Sequence, residues 1–73
     1  MAISRQMPAI DLQLRLSALY AERVLASNQG LAANAAYMAD LDDEIAEVAA
    51  AYTGAAVTEL ATLRAELFGA QAG

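Results

Sequence analysis

The sequence predicts an all-α protein, a helical hairpin or three-helix arrangement completed by dimerisation. Three observations carry that expectation. Leu31, Asn34, Met38, Leu41, Ile45, Val48 and Tyr52 recur at steps of three and four, the spacing that lines one face of a helix, and all but Asn34 are apolar. Twenty of the 73 residues are alanine, the best helix former. Finally, 59% of the residues are hydrophobic and the mean hydropathy is +0.36. A domain this short hides only about 60% of its unfolded surface. So much apolar surface points to self-association or to a partner's groove. The chain is expected to be one small domain spanning 1–73.

Residues 1–8 read as a lead-in, with Pro8 suited to the first turn of a helix. The first helix is expected over 9–29. Read that way, it places Asp11, Arg15, Glu22 and Gln29 on one narrow polar stripe. Nearly everything else around the cylinder is apolar or small, so such a helix is covered on several sides. Asn28-Gln29-Gly30 is the clearest break, because Gly30 suits the left-handed conformation that ends helices. A second helix is expected over 32–52, with Asn34 as a capping residue or as a polar residue within the seam. Beyond Tyr52 the apolar steps run to Ala56, Leu60, Leu63 and Leu67, which amounts to a stutter. Gly54 also weakens a helix by about 1 kcal/mol relative to Ala. A kink near Gly54 is therefore expected, then a third helix over 55–68 capped by Thr53, and a frayed tail at 69–73.

The first element has a second reading. Ile10 to Leu16 alternates apolar and polar residues as a half-buried strand does. With residues 10–16 as a strand, the order becomes strand, helix, glycine turn, helix. Met7-Pro8, the Ile10/Leu12/Leu14 alternation, Gly30 and Tyr37/Leu41/Ile45 then resemble the ribbon–helix–helix family of small dimeric repressors and antitoxins over about residues 7–48. That resemblance implies a dimeric transcriptional regulator whose strand reads DNA, and an acidic C-terminal helix acting as an antitoxin's toxin-binding tail. The chain departs from the family where DNA is read. Ala9, Asp11 and Gln13 occupy the positions between the apolar strand residues, and Asp11 faces bases or phosphates badly. Glu22 stands where a family core residue is expected.

Charge and residue inventory narrow the function. The net charge is −5, with no lysine. Residues 1–30 carry three arginines against two acids, whereas residues 31–73 carry seven acids against Arg64. An acidic surface repels phosphate, so nucleic acid is an unfavourable partner. Without Cys or His there is no thiolate or imidazole for catalysis or zinc binding. Neither a cofactor motif nor a phosphate-cradling glycine loop is present, and the acids lack the spacing of a calcium loop. No catalytic, cofactor-binding or metal-binding residue is expected, and enzyme chemistry is not expected. The longest uncharged run, Val24 to Ala39, is interrupted by Ser27, Asn28, Gln29, Gly30 and Asn34. A membrane span needs about 20 predominantly apolar residues. With no signal-peptide pattern either, a cytoplasmic protein is expected.

Association is what remains. Leu31, Met38, Leu41, Ile45, Val48 and Tyr52 form the expected association seam, facing residues 9–29, a second copy, or both. Asp40, Asp43, Glu44 and Glu47 form an acidic ridge expected to dock arginines of a partner. Its i,i+4 like-charge pairs cost a few tenths of a kcal/mol and call for compensating cations such as Arg15 or Arg23. Ala49, Ala50, Ala51, Gly54, Ala55 and Ala56 form a small-residue patch suited to close helix packing. The expected function is a small acidic interaction module, acting as a homodimer or as an inhibitor or adaptor on a larger protein. The Ala- and Arg-rich, Lys-free composition suits a bacterial or bacteriophage source.

Overall fold

The computed structural model describes residues 7–69; the rest of the expected lead-in (1–6) and the end of the expected tail (70–73) lie outside them. Helix α1 spans Ala9–Asn28 and helix α2 spans Ala35–Phe68, joined through a short 3-10 turn at Leu31–Ala33. The two helices pack lengthwise as a hairpin, in a body of 60 × 29 × 14 Å.

Helix α1 begins at Pro8, whose fixed backbone (φ −62°, ψ 154°) leads straight into the first turn. Its carbonyl accepts from Asp11 N (3.0 Å) and Leu12 N (3.2 Å). Among the described residues there is no strand, so the strand reading of 10–16 is corrected, and with it the arrangement the ribbon–helix–helix resemblance requires. The physical reason is visible in the side chains. Leu, Gln and Arg favour helix, and Leu12, Leu16 and Leu19 meet α2 together only at helical spacing. Ile10 and Leu14, which a strand would have buried with Leu12, point away and are exposed.

The helix ends where Gly30 takes φ 83°, a conformation that costs a side-chain-bearing residue strain. Gln29 N donates to Leu25 O (2.9 Å) and Gly30 N to Ser27 O (3.3 Å). Asn34 then caps α2. Its Oδ1 accepts from Tyr37 N at 3.0 Å, which satisfies an otherwise unpaired amide. Of its two readings, Asn34 is therefore the cap.

Helix α2 runs unbroken for 34 residues. This corrects the division into helices over 32–52 and 55–68: the expected third helix is the C-terminal part of α2. One glycine costs about 1 kcal/mol, and the alanines around Gly54 offset it. Thr53 does not cap a new helix but donates its hydroxyl to Ala49 O (3.1 Å) one turn back. The stutter also disappears. Leu41, Ile45, Val48, Tyr52 and Ala55 keep the three-and-four steps, and Ala55 packs on the core.

The core is a single layer between the helices. Leu12 and Leu19 of α1 meet Leu41, Ile45 and Val48 of α2, flanked by Leu16, Tyr37, Tyr52 and Ala55. Ala26 is buried near the turn. Among the described residues no side chain is completely buried, which is the consequence of having only two helices to close around the core.

Candidate association interface

The seam read from the sequence finds its partner inside the chain. Leu41, Ile45 and Val48 are buried against α1, and Met38 and Tyr52 are partly buried. Leu31 lies in the 3-10 turn and is exposed. The centre of the seam thus packs within the hairpin.

Ionic contacts fasten the two helices along their edges. Arg15 pairs with Glu44, and Arg23 Nε donates to Asp42 Oδ1 at 2.7 Å. Tyr37 donates its hydroxyl to Glu22 Oε2 at 2.6 Å. The hydrogen bond from Arg23 holds the Asp42 carboxyl below its ordinary value and raises the guanidinium of Arg23 in turn. The same kind of bond to Glu22 pushes the Tyr37 phenol above its ordinary value. Of the expected docking residues, Glu44 is thus occupied by Arg15. Asp40, Asp43 and Glu47 are exposed on the outward side of α2, and none of the three is in an ion pair among the described residues.

Glu59 was not singled out by sequence. Its Oε2 accepts from Ala9 N at 2.7 Å. Pro8 has no side-chain acceptor to cap α1, so the carboxylate arrives from the other helix and meets the positive end of the α1 dipole. The available signal was the spacing: Tyr52, Ala55 and Glu59 continue the steps of the seam. Beyond Glu59, α2 extends past the start of α1 by about 15 Å at 1.5 Å per residue. Leu60, Leu63 and Leu67 ride on this overhang and are exposed.

The outward side of α1 is the second large apolar surface. Ile10, Leu14, Val24 and Leu25 there are each 57–62% exposed. The small-residue patch is divided. Ala49, Ala55 and Ala56 are partly buried, while Ala50, Ala51 and Gly54 are exposed. A Cβ at Gly54 would meet nothing within 4 Å. Beside it lies an open groove of about 460 Å³ lined by Met7, Leu12, Ala51, Gly54, Ala55 and Thr58. Among the described residues no charged group lines it.

Among the described residues no group of three or more acids converges as a metal site requires. Likewise, no described helix is long and apolar enough to cross a membrane. No known protein family, curated protein or solved structure matches the chain.

Proposed function

We propose that this protein is an interaction module that works by covering its exposed apolar faces with another protein surface, first of all that of a second copy. The observation that carries this reading is the imbalance of apolar burial. Among the described residues, twelve large hydrophobic side chains are exposed, against six buried hydrophobic residues. A soluble monomer rarely exposes contiguous apolar patches beyond a few hundred Å². The shape adds support. The radius of gyration is 17.4 Å, whereas a compact 73-residue domain is expected near 11 Å. A thin rod with a one-layer core gains its missing cover by association.

An inhibitor or adaptor role on a larger protein belongs to the same reading. Asp40, Asp43 and Glu47 supply acids that no internal cation neutralises among the described residues, a ridge suited to an arginine-bearing surface. A bend near Gly54 also belongs to this proposal. Glycine and the back-bonded Thr53 soften α2 where it is about to leave the cover of α1.

Sedimentation equilibrium of the full chain over a micromolar range tests the association. The expected result is a particle of at least twice 7.6 kDa. A helical, stable particle of 7.6 kDa throughout the range would overturn the self-association.

A further inference from the structure

Helix α1 has an inverted charge distribution. It carries four charged side chains, Asp11, Arg15, Glu22 and Arg23. Three of them reach toward α2: Arg15 to Glu44, Arg23 to Asp42 and Glu22 to Tyr37. The side turned away from α2 holds Ile10, Leu14, Ser17, Ala21, Val24 and Asn28, which recur at steps of four and three. This is a second helical stripe opposite the one that packs on α2, and it contains no charge. Solvent-facing helix surfaces ordinarily concentrate charge; this one excludes it.

From this we infer that the outward stripe of α1 is the dimer interface, and that it binds the same stripe of a second copy with the two α1 helices antiparallel. The inference rests on the proposed self-association and specifies its geometry.

Charge selects the face. A two-fold interface brings a surface against itself. On the outward side of α2 that operation would set Asp40, Asp43 and Glu47 against their own copies, and like charges facing each other are strongly disfavoured. The overhang of α2 is short and carries Arg64 and Glu66 among its leucines. The stripe of α1 has no like charges to juxtapose and runs the full 20 residues of the helix. Area supports a second copy as occupant. The chain exposes 5557 Å² against about 4300 Å² for a compact monomer of its mass. That excess, about 1250 Å², is spread over the whole rod, the overhang of α2 included, and leaves room for the roughly 800 Å² per partner of a standard stable interface.

The helix dipoles select the direction. With the helices antiparallel about a two-fold near Leu19, Leu14 faces Val24 of the second copy and Ser17 faces its Ala21. Small residues then meet at the centre, where the helices approach, and large ones meet toward the ends. Ile10 falls opposite the second copy's Asn28, beside a groove of about 330 Å³ lined by Tyr20, Arg23, Val24, Ser27 and Asn28, where the Arg23 guanidinium is already paired with Asp42. A parallel pair would leave Ser17 facing Ser17 and Asn28 facing Asn28, and would align the two helix dipoles unfavourably.

The native chain has no cysteine, so cross-linking reads this directly. Ser17→Cys and Ala21→Cys variants, of different mass, are mixed, re-equilibrated and gently oxidised, then the products are weighed by mass spectrometry. A disulfide forms readily only where Cα atoms lie within about 7 Å. The expected product is the mixed 17–21 cross-link in several-fold excess over the 17–17 and 21–21 forms. Predominance of the like–like products would overturn the antiparallel arrangement. Absence of any product from a mixture that sediments as a dimer would overturn the interface while leaving the association standing. A mixture that sediments as monomer would overturn both.

Discussion

Two single side chains set where the helices start. Asn34 accepts the Tyr37 amide at the head of α2, and Asn34→Ala is expected to cost about 1 kcal/mol, the ordinary worth of an N-cap. Glu59 does the same work for α1 from a distance. Replacement by Ala is expected to cost about 1 kcal/mol and to raise amide exchange at Ala9 and Ile10 while leaving the C-terminal turn of α1 protected. Uniform loss of protection would contradict a local capping role. The Arg23–Asp42 bond has a defined pH dependence. The folded Asp42 carboxyl titrates below its ordinary 3.8, so its contribution is present above that value and is lost as pH falls through the lower folded value. Melting temperatures of the native chain and Asp42→Asn are therefore expected to differ at neutral pH and to converge in acid. A gap that persists at pH values well below 3.8 would exclude the bond as its source.

The helices show which part of the sequence signal is local. The seam from Met38 to Tyr52 was legible because a stripe that narrow needs a facing helix, and α1 is that helix. Ile10 to Leu16 misled because alternation along a strand and two apolar stripes on one helix share residues. Leu12 and Leu16 belong to one stripe, Ile10 and Leu14 to the other. The polar stripe of Asp11, Arg15 and Glu22 was legible as narrow, but its direction was not. Which side of α1 the charges face depends on Asp42 and Glu44, far along the chain. The spacing places Glu59 on the face of the seam, but its capping role was illegible for the same reason, its partner being 50 residues away. At Gly54 the local weakness does not end the helix, which continues to Phe68. With its Cβ position open, Gly54→Ala is expected to stabilise α2 by about 0.5–1 kcal/mol, measured by urea unfolding. Destabilisation would show that another helix already packs closely there. Leu41→Ala, in the core layer, is expected to cost about 2–5 kcal/mol in the same assay.

At the scale of the whole molecule, the sequence pointed to association, and the structure shows which surfaces the hairpin leaves over. The internal seam, with Glu44 and Asp42, holds α1 to α2. The outward stripe of α1, the overhang of α2 and the ridge of Asp40, Asp43 and Glu47 remain facing outward. The first is uncharged, the second mixed, the third acidic. On that difference rests our proposal that the first pairs with a second copy and the others are left for a larger partner. Sedimentation equilibrium of Leu14→Lys beside Leu63→Lys tests the assignment most directly, since both side chains are exposed in the single chain and neither substitution disturbs the core layer. The expected result is a helical monomer of 7.6 kDa for Leu14→Lys and a dimer for Leu63→Lys. A dimer for Leu14→Lys with a monomer for Leu63→Lys would contradict the account and move the interface to the overhang of α2.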